Sequence, residues 1–375
     1  MRIDHASFWW DYVTGPVGFI GEVVDRLCEP SCVALRLPQD APWRHSMRES
    51  IIESIRTKVE TKDLTITRLD AGSITEPGQA LLCLALKQVR EDYMPWAVGI
   101  VDYLRDNDVL TGRLVWVYNI PDGMLSEWCQ FCKSWNPQRA AQGILLLETS
   151  CFPPNGISCV SYDSYVSESS VRVFCSTLLD DGAFKSLTEE RRAYTVSLLV
   201  RLCHGDVELA TELAKTYRPM NEEPLEALSR VLESGCLDDR IRLSKEHPLS
   251  LLHDKNYDRL NASIWSSQVE CLFPIIEQDR IEIVEKHRTR LSEIVRSGIL
   301  NTNQDTIEHY RDIEVGQLYW LMHRSTLKIE DPGEHDHIEL LRECRNLIAH
   351  RTRVPEEKVR LLIDKQGWRP DNRKY

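Results

Sequence analysis

Between residues 31 and about 152 the chain alternates short apolar runs rich in β-branched residues with longer amphipathic stretches. After Pro153-Pro154-Asn155-Gly156 only helical periods follow. The alternation is the mark of βαβ units, whose strands lie parallel because each return needs a crossover. Strands are expected at 32–37, 64–68, 113–118 and 143–148. Between the first two, Met47, Ile51, Ile52 and Ile55 recur at helical spacing within 44–59. The expected result is an open, mainly parallel sheet with helices on both faces. Its functional groups would lie at the carboxyl ends of the strands.

Residues 171 to about 247 read as helical, with Leu198, Leu202, Leu209, Leu213, Leu225, Leu228 and Leu232 on amphipathic periods. A polar stretch, 247–259, leads into one long expected helix from 260 to about 296, closed by Ser297-Gly298. Three shorter helices are expected at roughly 305–324, 334–351 and 355–364, followed by a polar tail over 366–375. The organisation is therefore an α/β domain over 1–170, a helical subdomain over 171–257 and an all-α domain over 258–375.

With 375 residues and 42% hydrophobic content, the chain can fill two or three cores. No uncharged apolar run approaches the roughly 18 to 20 residues of a membrane span, and Trp9-Trp10-Asp11 interrupts any secretory apolar region. A cytoplasmic location without membrane contact is the expectation. Twelve irregularly spaced cysteines then read as reduced thiols. The net charge of -12 is uneven: residues 1–258 carry 27 basic and 38 acidic side chains, the remainder 19 and 20. The surplus acid lies in front, so the charge does not argue against nucleic acid at the C-terminal end.

The strand order followed by a helical block containing Leu202-Cys203-His204-Gly205-Asp206-Val207-Glu208-Leu209-Ala210 resembles an AAA+ or STAND-type P-loop ATPase core with its helical lid, over about 200 residues. A working P-loop needs a glycine-rich turn and a lysine after the first strand, because backbone N–H groups cradle the phosphates. That place reads Pro38-Gln39-Asp40-Ala41-Pro42-Trp43-Arg44-His45-Ser46, without either. The strand that should end in a magnesium-binding acid ends in Tyr118-Asn119, and asparagine is a poorer ligand for a hard cation. The expectation is a degenerate domain that does not hydrolyse nucleotide. It could still hold one through Arg44, or dock a protein partner.

The most informative segment is Leu340-Leu341-Arg342-Glu343-Cys344-Arg345-Asn346-Leu347-Ile348-Ala349-His350. At about 100° per residue, Leu340, Leu341, Cys344, Leu347 and Ile348 span about 120°, the stripe that should be buried. Asn346 and His350 share the opposite face, so His350 is not a core histidine. Arg345 leaves the helix about 140° from His350. The two meet on one ligand only through the arginine's length or through a second copy across a dimer.

This segment resembles the HEPN family of four-helix domains, whose hallmark is an arginine, usually followed by a polar residue, then a histidine after four to six residues. Arg345, Asn346 and His350 match, with four residues between arginine and histidine. The long helix with Trp265, Gln268, Leu272-Phe273-Pro274, Glu277 and Arg280 is similar to the HEPN subgroup fused behind ATPase-like domains, and the similarity covers about 115 residues from Asp258. The resemblance implies a homodimer through the C-terminal domain, two facing motifs in one composite site and, in many members, metal-independent cleavage of RNA. Histidine can transfer protons near neutrality. Arginine forks onto phosphate oxygens, and Asn346 could orient either. Arg342, Arg351 and Arg353, with Lys358 and Arg360 nearby, would supply an RNA-binding rim. A solvated basic face would carry the same residues, and some HEPN domains are non-catalytic assembly modules.

Cys129-Gln130-Phe131-Cys132 lacks a second pair at zinc-finger distance. His335-Asp336-His337 sits in an acidic first helical turn, which complements the helix dipole without a metal. No cofactor and no metal site is expected. The first reading is an RNA endonuclease controlled by an inactive NTPase-like sensor, as in bacterial antiviral defence or stress. The alternatives are a non-catalytic adaptor of a multiprotein complex and an NTPase with an atypical phosphate loop.

Overall fold

The computed structural model describes residues 4–29, 32–58, 64–135, 143–180, 184, 186–300, 307–365 and 368. It divides into two compact units, Met1–Phe174 and Cys175–Tyr375. Among the described residues no helix is long and apolar enough to cross a membrane.

Unit 1 begins with two helices, α1 (His5–Tyr12) and α2 (Thr14–Cys28), and then builds five strands: β1 (Val33–Arg36), β2 (Thr65–Asp70), β3 (Arg113–Tyr118), β4 (Ile144–Thr149) and β5 (Ser158–Ser161). All pairings are parallel, in the order β2-β3-β4-β1-β5. Helix α3 (Arg44–Lys58) follows β1 and packs on α1 and α2; α4 (Pro77–Leu82), α5 (Lys87–Glu91) and α6 (Ile100–Asp106) lie between β2 and β3, and α7 (Leu125–Trp135) leads into β4. Strand side chains alternate between faces. Val115, Val117, Leu145 and Leu147 share a core with Trp128, Phe131 and Trp135 of α7. Leu114, Trp116 and Leu146, of the opposite parity, are equally buried, so both faces are covered. The chain is thus an α/β domain followed by a helical region. Gly15, Gly18 and Gly21 lie inside α2.

Helix α8 (Glu168–Leu178) runs across the division, and every further described element of unit 2 is helical. These are α9 (Glu189–Leu202), α10 (Val207–Thr216), α11 (Pro224–Ser234), α12 (Asp238–Leu243), α13 (Pro248–His253), α14 (Tyr257–Lys286), α15 (Arg288–Arg296), α16 (Val315–His323), α17 (Pro332–Ala349) and α18 (Glu356–Ile363), with short 3-10 turns between. The central element is α14, which packs against α9, α13, α17 and α18. Residue 257 falls inside the second compact unit, where α9 packs on α14.

The long helix expected over 260–296 is two helices. It breaks at His287, where the backbone leaves helical geometry (φ -100°, ψ 17°). The side chains at the break meet a distant carboxylate. His287 Nε2 lies 2.9 Å from Glu334 on α17, and Lys286 Nζ donates to the same group at 2.7 Å. Glu334 is buried, and burial pushes its carboxyl up, but the bonds from His287 and Lys286 outweigh this and hold it below the ordinary carboxylate range. A second buried acid, Asp279 of α14, accepts Lys365 Nζ at 2.6 Å and lies 2.9 Å from His337 Nε2. Trp368 stacks on the His337 ring at 4.3 Å. The rest of the tail, 366–367 and 369–375, lies outside the described residues, as do 305–306 of the expected 305–324 helix.

Candidate functional site

Helix α17 starts where Asp331 caps it, its side chain accepting from Gly333 N at 3.0 Å with Pro332 in the first turn. Leu341, Cys344 and Ile348 form its buried stripe, while Leu340 and Leu347 are half-buried. Burial pushes the Cys344 thiol up to about 12, so this cysteine beside Arg345 is a packing residue and not a thiolate nucleophile. The helix ends at His350, whose N–H donates to Asn346 O at 3.0 Å. The next residue, Arg351, turns into left-handed geometry (φ 55°). That conformation costs a non-glycine residue on the order of 1 kcal/mol, so the surroundings must hold it.

They do so from α14. Trp265 Nε1 donates to Ile348 O at 2.9 Å, Gln268 Nε2 donates to Val354 O at 2.7 Å, and Val354 N donates back to Gln268 Oε1 at 2.7 Å. Gln268 is fully buried. Residues 348–354, which carry His350, Arg351 and Arg353, are fixed to the long helix at both ends.

On that frame the His350 side chain is exposed and has no hydrogen bond among the described residues. Asn346 is half-buried. Arg345 reaches Glu314 Oε2 at 3.7 Å in a loose pair whose side chains are 43% and 56% exposed, so the guanidinium is open to another anion. The Arg342 guanidinium carbon lies over the Tyr319 ring, 4.1 Å from its centroid. Arg351 is exposed. Two members of the expected rim are engaged internally: Arg353 pairs with Glu223, and Lys358 Nζ pairs with Glu343 at 2.6 Å. Arg345 and His350 are five positions apart, about 140° around a helix, so helical spacing alone does not bring the two side chains together.

Beside this loop lies a buried acid that the sequence did not single out. Glu356 opens α18 and is 2% exposed. Tyr194 O–H donates to one carboxylate oxygen, while the other has no hydrogen-bond partner among the described residues. Burial, with nearby Glu223 adding to it, outweighs the Tyr194 bond and Arg353 and raises the carboxyl to about 7. The folded state therefore keeps this proton at pH values where the unfolded chain has lost it. Its stabilising contribution is complete below the ordinary carboxylate pKa and fades as pH rises toward 7. Between pH 5 and 7.5 the chain should lose about 2–3 kcal/mol from this group. Glu356→Gln, which keeps an acceptor for Tyr194, should flatten that part of the profile in thermal melts compared at the two pH values; an unchanged slope would refute the assignment.

In unit 1 the carboxyl ends of β1 and β4 adjoin, and the connections that follow them leave in opposite directions, β1 toward β2 and β4 toward β5. Parallel sheets form their ligand crevice at such a point. Here it holds a side-chain cluster. Glu148 of β4, 4% exposed, accepts from Arg48 Nε at 3.0 Å and Nη2 at 2.9 Å, from Arg44 Nη1 at 3.3 Å and from Trp116 Nε1 at 3.1 Å. Arg44 Nη2 also donates to Pro38 O at 2.8 Å and Gln39 O at 2.9 Å, tying down the loop where a phosphate cradle would lie. The arginine expected to meet a nucleotide thus faces an internal carboxylate. Among the described residues no group of three or more histidine, cysteine or acidic side chains could hold a metal. Protein-family profiles and curated proteins were compared with the chain, and neither gives a match.

Proposed function

We propose that the protein is a HEPN-type, metal-independent RNA endonuclease controlled by a non-hydrolysing NTPase-like domain, acting in bacterial antiviral defence or stress. The observation that carries the reading is an exposed His350, without a side-chain hydrogen bond among the described residues, on a loop anchored by Trp265 and Gln268 and five residues on from an open Arg345. In the reaction the 2′-oxygen of RNA forms a bond to the adjacent phosphorus while the bond from phosphorus to the 5′-oxygen breaks. The proton of the 2′-hydroxyl passes to one His350, and the departing oxygen takes a proton from the His350 of a second copy. The products carry a 2′,3′-cyclic phosphate and a 5′-hydroxyl. Arg345 neutralises the charge that grows on the phosphorane oxygens, and Asn346 orients the phosphate. Arg351 lies beside the path of the strand.

The test is incubation of purified protein with total cellular RNA and tRNA in EDTA. Cutting that leaves cyclic phosphate ends is expected; intact RNA, alone and with candidate partners, would remove the reading. Unit 1 is expected to turn over no ATP above background, because Glu148 neutralises the cations of its crevice. Steady phosphate release by purified protein would revive a working NTPase. One surface favours the adaptor alternative, or docking on unit 1: Leu86, Met94 and Trp96 are 79%, 49% and 84% exposed within eleven residues. Exposed apolar groups at that density mark protein contacts.

A further inference from the structure

The face formed by α16 and α17 gathers cationic and aromatic groups in one cluster. The Arg342 guanidinium covers the Tyr319 ring at 4.1 Å, the Tyr319 and His323 rings are 4.2 Å apart, and His323 meets His335 edge-on at 5.8 Å. On the same helix, Arg324 lies 4.5 Å over Trp320. His323 and Arg324 are exposed, and Tyr319, His335 and Arg342 are half-buried. Leu318, Leu321, Met322, Ile338 and Leu341 are buried, so the two helices supply apolar side chains to the core without this cluster. Arg342 and Arg345 are one turn apart on α17, about 4.5 Å of rise.

We infer that Arg342, packed over Tyr319, is a stacking platform for a base of single-stranded RNA next to the phosphate held by Arg345. The inference rests on the RNA-cleaving reading and gives Arg342 a different part from that of a phosphate-rim cation. Unpaired bases stack on guanidinium planes and aromatic rings, and they do so without regard to sequence. With its Cζ 4.1 Å from the Tyr319 ring centroid, the half-buried Arg342 guanidinium joins that ring in one cationic and aromatic surface on which a base stacks. The loose Arg345–Glu314 pair, 3.7 Å apart, gives way to a phosphate oxygen. The partner chemistry is thus an anionic strand with exposed bases, and not a duplex, whose bases are stacked on one another.

The test uses full-length His350→Ala protein, which should bind without cutting, and two fluorescein-labelled RNA 12-mers, one of mixed sequence and one with abasic positions in its centre. The base-bearing strand should bind about tenfold more tightly. Tyr319→Leu and Arg342→Lys should each bring that ratio to within about twofold, and Arg342→Gln should leave the salt dependence of binding unchanged. Arg342→Lys is a half-exposed change that keeps the charge, so it carries the test if Tyr319→Leu fails to fold. Equal binding of both strands, a ratio that survives both substitutions, or a salt slope that falls by about one in Arg342→Gln, as for a phosphate contact, would overturn the inference. Cleavage by the unsubstituted protein is scored separately. Cutting without base preference removes only the platform, and base-dependent binding without cutting removes only the nuclease.

Discussion

Glu148→Ala is expected to lower the stability of unit 1 by about 3 kcal/mol, seen in the full chain as an earlier urea transition. Removing one partner of a buried ion pair typically costs about 3–5 kcal/mol, because the remaining charge stays out of water without compensation. Here two guanidiniums and the Trp116 indole N–H lose their acceptor together. The expected value lies at the lower end because the Arg44 side chain is 34% exposed and keeps its bonds to Pro38 and Gln39, whereas Arg48 is 16% exposed. A loss below about 1 kcal/mol would show that water reaches the cluster freely. Replacing Glu148 with leucine and Arg48 with methionine together should cost less than Glu148→Ala alone, since an apolar pair leaves fewer charges stranded.

The second large effect is on activity. His350→Ala and Arg345→Ala should each lower RNA cleavage at least about a hundredfold, the first by removing proton transfer and the second by removing the cation at phosphorus. The double variant should be little worse than the poorer single one, because groups that act as a unit are not additive. Both side chains project from the surface, so the melting temperature should stay within the small range of surface changes. Cutting by His350→Ala at the wild-type rate would remove His350 from the reaction. Retention of activity within about threefold by both variants would place the reaction elsewhere on the chain.

Four of the strands and the principal helices were legible because their burial follows simple periods. Strand β5, Ser158-Cys159-Val160-Ser161, was not foreseen: it is four residues long and half polar, and its pairing with β1 decides it. Helices α4 and α5, of six and five residues, are too short to show a period. The break at His287 lacks glycine or proline, and its side chain meets Glu334, 47 residues on, a pairing no local pattern shows. His350, Arg345 and Asn346 could be singled out because a motif and a helical period coincide on one segment. The Glu148 cluster could not, since its parts are about 100 residues apart. Its one local sign is an acid closing the apolar run Ile144-Leu145-Leu146-Leu147. Trp265 and Gln268 were noted for their place in a family pattern, and their bonds to the loop after α17 give them a physical role.

Those bonds bear on entropy. With Ile348 and Val354 both fastened to α14, the backbone of the histidine loop is ordered when the chain folds and not when a ligand arrives. Fixing one residue's backbone costs roughly 1–2 kcal/mol, and a flexible loop would meet that cost at every encounter. On the anchored loop only the χ1 and χ2 torsions of His350 remain to be set, so binding loses little freedom and the ring is pre-organised for proton transfer. Loosening either anchor should leave the histidine chemically intact while making it slower to find its pose.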